Sequence, residues 1–225
     1  MTFSIVARCR ETGMFGVAVA SSSPAVAARC AYARAGVGAV ASQNVTDPTL
    51  GTRALDLMER GAAAAEAVAI IARTAPFGDY RQVLAVDAAG GSAIHTGAVA
   101  LGVFSEARDI DVACGGNLLA SADVPRRMVE AFGAATGPLG DRLLAAMRGG
   151  LDAGGEAGPI HSAGLRLVRE VAWPVADLRV DWTEGNPVAE LDALWRLYAP
   201  QLDAYVTRAL DPTAAPSYGV PGDEA

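Results

Sequence analysis

The chain has 225 residues, 52% of them hydrophobic, which is enough to bury a substantial core in one large domain or two small ones. A formal net charge of −7, with no basic run, excludes the electrostatic footprint of a nucleic-acid binder or of a protein held on an anionic membrane. All 18 basic residues are arginine, so Schiff-base chemistry and a P-loop ammonium, both of which need lysine, are excluded too.

Thr2 to Ala7 (TFSIVA) and Phe15 to Ser21 (FGVAVAS) are β-type runs on either side of a Thr-Gly turn signal, and they predict a hairpin at the start of the chain. Arg8 and Arg10 follow the first apolar run, and no small-residue cleavage site closes a central hydrophobic stretch. No export signal is expected. No run approaches the ~20 apolar residues of a membrane span, so a soluble cytoplasmic protein is the expectation. Cys9, Cys30 and Cys114 lack zinc-like spacing and read as reduced thiols, with a single disulfide left open. Val37 to Ser42 predicts a third strand, whereas Ala25 to Ala33 suits strand or helix equally.

From Pro48 the period changes. LGTRALDLMERG places Leu50, Ala54, Leu57 and Met58 on one helical face, and a second helix covers Ala63 to Ala75. Strands return at Arg81 to Asp87, Ser92 to Gly97 and around Asp109 to Gly115. Another helix pair follows in ADVPRRMVEAFGAA and PLGDRLLAAMRGGL. SAGLRLVRE and DLRVDW predict two more strands, and NPVAELDALWRLYAPQLDAYVTRAL an amphipathic helix divided at Pro200. Hairpins alternating with helix pairs imply an α+β fold of antiparallel sheets covered by helices. A single domain over residues 1–212 and a Pro/Gly-rich tail over 213–225 are expected.

A threonine that follows only an initiator methionine becomes, once the methionine is removed, a hydroxyl nucleophile carrying its own amine as base. That amine has an ordinary pKa of about 7.7–8.0, so roughly a tenth or more is neutral at pH 7. The plain alternative is that Thr2 is a good strand residue. The fragments MTFSIVA, ETG, GVAVAS, ARAGVGAVASQ, YRQV, VDAAG, HTG, GNLLA, LRVDW and PVAEL, in this order, resemble the DUF1028 family of the Ntn-hydrolase-like superfamily, from Thr2 to about Val220. The resemblance implies a four-layer αββα sandwich of two antiparallel sheets, with Thr2 at the nucleophile position. It supplies no substrate. Threonine-dependent proteases of that superfamily use an Asp after the second strand and a Lys on the third. Here Ser21, Ser22 and Ser23 follow the second strand and no Lys exists, so a proteasome-type protease is not expected and the proton partner would be Ser21, Arg34 or water.

Other candidates come from residue type and position. His95, at a strand end, could relay a proton or be a hydrogen-bonded structural histidine. Asn117 follows a strand and could hold an oxyanion through its amide or simply cap a helix. Asn44 and Asp47 follow the third strand, where turn formation alone would explain them, and Asp181 could line the cleft or pair with an arginine. His161 could mark an altered specificity. Neither the two histidines nor the three cysteines form a ligand pattern, so no metal and no cofactor are expected. The function expected is hydrolysis of a small amide, ureide or cyclic amide by Thr2, with Asn117 and His95 assisting and Ser21, Arg34, Asn44 and Asp181 near the substrate. The alternative is a non-catalytic small-molecule-binding or assembly protein on the same fold. A homo-oligomer is expected, with Trp195 to Tyr205 as its candidate contact.

Overall fold

A computed structural model describes residues 2–220. The expected loss of Met1 and the last five residues of the tail lie outside them. The chain opens with strands β1 (Thr2–Arg8) and β2 (Phe15–Ser21), the expected hairpin. Ala25 to Ala33, readable as either element, contains both: a short helix α1 (Ala27–Cys30) runs directly into β3 (Ala31–Arg34). Then come β4 (Gly38–Asn44), helices α2 (Thr49–Glu59) and α3 (Ala64–Thr74), and strands β5 (Arg81–Asp87) and β6 (Ser92–Thr96).

The single strand expected near Asp109 is a hairpin of β7 (Ser105–Asp109) and β8 (Val112–Asn117). β7 reads SEARD and lies largely exposed at a sheet edge, so it lacks the apolar alternation that marks a half-buried strand. Helices α4 (Val124–Ala134) and α5 (Leu139–Asp152), strands β9 (Ser162–Val168) and β10 (Ala176–Val180), and helices α6 (Pro187–Tyr198) and α7 (Leu202–Leu210) complete the order. A 3₁₀ turn over Ala199–Gln201 divides the last two helices at Pro200.

One sheet has the order β10-β9-β2-β1-β8-β7 and the other β3-β4-β5-β6, with antiparallel pairing throughout. Val6, Val17, Val19, Ala39, Ala41 and Leu84 fill the space between the sheets. Helices α2 and α3 cover the outer face of the four-stranded sheet through Leu50, Ala54 and Ile71 against Val40 and Val83. Helices α4, α5 and α6 cover the larger sheet through Met128, Leu143, Met147 and Leu191 against Phe3 and Ile5. The result is the four-layer αββα sandwich of an α+β protein. Cys9, Cys30 and Cys114 are free thiols, and burial pushes the Cys114 pKa well up. No helix among the described residues is long and apolar enough to cross a membrane.

Trp195 is not available as an oligomer contact. It is buried against α5, with its indole N–H donating to Asp141 Oδ1 at 2.6 Å, because the helix's apolar stripe is used within the chain. The ring lies over Gly140, where a Cβ would come 2.3 Å from it, whereas a Cβ at Gly133 of α4 would meet open space. Gly140→Ala is therefore expected to destabilise the fold by roughly 1–3 kcal/mol through overpacking, and Gly133→Ala to stabilise it by roughly 0.4–1 kcal/mol through helix propensity. Urea unfolding of both variants checks the opposite signs.

Candidate active site

β1 is flanked by β2 on one side and β8 on the other, and its first residue is Thr2. Side chains alternate along a strand. Phe3, Ile5 and Ala7 therefore point into the helical layer, while Thr2, Ser4 and Val6 face the second sheet. Thr2 is thus held at one end of the space between the sheets, 6% exposed. Its hydroxyl donates to Ser21 Oγ at 3.4 Å, and Ser21 Oγ in turn donates to Ser23 Oγ at 3.3 Å and accepts the Ser23 N–H at 3.0 Å.

Across the β1–β8 pair, Thr2 is in register with Asn117. Asn117 is 1% exposed, and neither its amide nitrogen nor its amide oxygen has a hydrogen-bond partner among the described residues. A buried amide with both ends unmet costs roughly 1–3 kcal/mol per group, so it is uncommon in a folded protein without a ligand or water to serve. Asn117 caps no helix, since α4 starts only at Val124. The chain leaves β8 through Leu118, whose φ of 52° is left-handed and turns the backbone sharply.

The inter-sheet layer is apolar at the far end and polar behind Thr2. Ser4 Oγ donates to Gln43 Oε1 at 2.7 Å, Gln43 Nε2 to Gln82 Oε1 at 2.7 Å, and Gln82 Nε2 to Thr96 Oγ1 at 3.0 Å. The two amides also reach the carbonyls of Gly115 and Gly116, and Ser4, Gln43 and Gln82 are wholly buried. A satisfied chain of this kind rigidifies its surroundings.

Glu156 closes the same end of the sandwich. Its backbone bridges Leu119 just past β8, and both carboxylate oxygens accept the Ser22 N–H just past β2, at 3.2 and 3.3 Å. The side chain is 5% exposed. Burial pushes its pKa up to about 7, outweighing the opposing pull of the N-terminal charge and, after it, of the Ser22 hydrogen bonds. Neither Glu156 nor the Gln43–Gln82 pair stands out in the sequence. The one local signal is a lone Glu beside two glycines of positive φ, Gly154 and Gly155.

Of the other candidates, Ser21 lies at the site and several do not. His95 pairs with Val83 on the face turned to α2 and α3, with its Nε2 3.0 Å from the Gly78 carbonyl oxygen. Strand parity therefore puts it on the opposite side of the second sheet from Thr2. Arg34 is ion-paired with Asp56 and Glu59 of α2 at the other end of β4 from Gln43. Asn44 ties two loops, donating to the Tyr80 carbonyl at 2.6 Å and accepting the Leu101 N–H at 3.3 Å. Asp47 accepts the Thr49 hydroxyl and N–H at the start of α2, and the hydroxyl bond foremost holds its carboxyl low. The Asp181 side chain is exposed, and its carbonyl accepts the Ala25 N–H at 2.9 Å. His161 stacks on Trp182 with ring centroids 4.3 Å apart, and its backbone N–H donates to the Ser21 carbonyl at 2.8 Å, one strand removed from Thr2. No group of three or more His, Cys, Asp or Glu suited to a metal occurs among the described residues.

A family model described as a family of unknown function (DUF1028) matches residues 2–191. The crystal structure of protein SPO2555 from Silicibacter pomeroyi, described with the same family model, is similar to this chain with a TM-score of 0.82 and 29% identity, covering 88% of this chain and 89% of that one. Anbu, an ancestral β-subunit from Yersinia bercovieri, has a TM-score of 0.40 and 11% identity over 90% of this chain and 96% of its own. No curated protein matches.

The raised Glu156 pKa fixes a sign for pH dependence. The folded state holds this proton longer than the unfolded chain does, so the contribution is full below about pH 4.5 and is lost as pH rises toward about 7. The slope is about 1.4 kcal/mol per pH unit at its steepest. Glu156→Gln is expected to flatten the urea-derived stability profile in that window.

Proposed function

The chain belongs to the DUF1028 family, and we propose that it is an Ntn-type hydrolase in which Thr2, once the preceding residue is removed, is the nucleophile for a small amide, ureide or cyclic amide. The observation that carries the reading is the pairing of Thr2 with Asn117: a hydroxyl at the head of a central strand, directly beside a buried amide whose donors are unspent. Such an amide supports a role as a preorganised donor to an oxyanion, at no cost in reorganisation during the reaction.

In this reading Thr2 Oγ attacks the substrate carbonyl carbon, an Oγ–C bond forms, and the hydroxyl proton passes to the Thr2 α-amine. The carbonyl electrons become an oxyanion held by Asn117 Nδ2. Collapse restores the carbonyl and breaks the C–N bond, and the ammonium gives its proton to the leaving nitrogen. Water, deprotonated by the same amine, then attacks the ester and releases the acid, and Thr2 Oγ recovers its proton. Ser21 Oγ, already 3.4 Å from the Thr2 hydroxyl, orients it. Ser4, Gln43 and Gln82 form a polar floor suited to amide-like groups. A substrate of modest size agrees with a nucleophile that is 6% exposed.

Protein expressed without added residues should lose Met1 in its intact mass and gain one acyl group from a β-lactone. Thr2→Ala should abolish acylation with little loss of stability, Thr2→Ser should retain it, and Asn117→Ala should slow it roughly 10²–10³-fold. Retained Met1 together with unchanged acylation of Thr2→Ala would favour the non-catalytic reading.

A further inference from the structure

The segment around Glu156 is placed with respect to β1 by contacts on three sides. Its backbone bridges Leu119 beyond the end of β8, its carboxylate takes the Ser22 N–H beyond the end of β2, and the neighbouring Gly155 lies against the Phe3 ring. β1 lies between β2 and β8. The antiparallel register that pairs Phe3 with Ala20 continues to put Thr2 opposite Ser21, with Ser22 one step beyond it. The carboxylate therefore stands across the line of β1 just beyond Thr2, where the backbone nitrogen of a newly exposed N-terminus emerges.

We propose that Glu156 is the counter-ion of the Thr2 α-amino group in the processed protein, a positioning residue that holds the amine and balances its charge. This rests on the reading of Thr2 as an N-terminal nucleophile. A neutral amine has two N–H bonds and one lone pair. With one N–H given to Glu156, the lone pair is free to turn toward Oγ, and the ammonium formed when it takes the hydroxyl proton stands beside a carboxylate.

The other groups around Glu156 leave it to this task. The β2 exit offers only Ser21, Ser22 and Ser23, and the β8 exit offers Leu118 to Ala120. On α5, Asp152 is exposed and Arg148 is paired with Asp192. His161 turns its ring to Trp182, with Nδ1 2.8 Å from the Thr183 carbonyl oxygen. Among the described residues no arginine is ion-paired with Glu156. Among the described residues the hydrogen-bond partner of this buried carboxylate is Ser22, and burial outweighs that bond and raises its pKa to about 7.

The test is titration of the α-amine by NMR in processed, ¹⁵N-threonine-labelled protein, alongside β-lactone acylation followed by mass. The wild-type amine is expected to titrate at least one unit above the ordinary ~7.7–8.0. Glu156→Gln should bring it back by about one unit and move the ascending limb of the acylation–pH profile down by the same unit, and Glu156→Asp should restore part of both. An unmoved amine in a folded Glu156→Gln variant overturns the proposal even if Thr2 is acylated. ¹⁵N-alanine-labelled Thr2→Ala separates the two ideas: it should keep a Glu156-dependent amine while losing the adduct. Persistence of the adduct there refutes the nucleophile reading and leaves the ion pair to stand on the titration.

Discussion

Everything at this site depends on β1 being paired with β8 from Thr2 and with β2 from Phe3. Strand ends usually fray, but Thr2 is fixed by register to Asn117 on β8 and lies opposite Ser21 at the end of β2, with a second sheet facing it. Two long-range pairings, to residues far apart in the sequence, remove the backbone freedom that a chain terminus would otherwise keep. A nucleophile carried there needs no loop to position it. The hydroxyl, the amide of Asn117 and the serine cluster hold their relative places through backbone hydrogen bonding of the larger sheet.

The second constraint is the division of the inter-sheet layer. Val, Ala and Leu fill one end, where transfer of apolar surface from water stabilises the sandwich at roughly 25 cal/mol per Å². Behind Thr2 the layer changes to Ser4, Gln43 and Gln82, polar groups whose burial is tolerable because each finds partners. Asn117 and Glu156 break this pattern. One has no partner among the described residues, and the other keeps a carboxylate in a site that disfavours its charge. Both irregularities border the head of β1. Costs of this kind tend to gather where a protein binds or reacts, and here they mark one end of one strand.

The hairpins and helix pairs are legible because they rest on local patterns: alternation in TFSIVA and FGVAVAS, the 3.6-residue period after Pro48, and the break at Pro200; the four-layer order came from the family resemblance. β7 is not legible, because SEARD at an exposed edge carries no apolar signal. At the candidate site, Thr2 is singled out by its place after Met1 and by the family resemblance, and Asn117 by its place after a strand. His95 satisfied the same criterion by residue type, but strand parity turns it to the outer helices, and parity follows only once the pairing partners are known. Glu156 was out of reach for a different reason. It meets Ser22 across 134 positions of sequence, and its relation to β1 exists only after β2 and β8 have been laid on either side.

The central claim is that the reactive atom is Thr2 Oγ, and locating an acyl group on it is the most direct test. Peptide mapping by tandem mass spectrometry after β-lactone treatment should place a single ester on an N-terminal peptide that begins with Thr2. An acyl group on Ser21, Ser23 or Cys9, or none at all on protein whose Thr2 amine is free, would contradict the account.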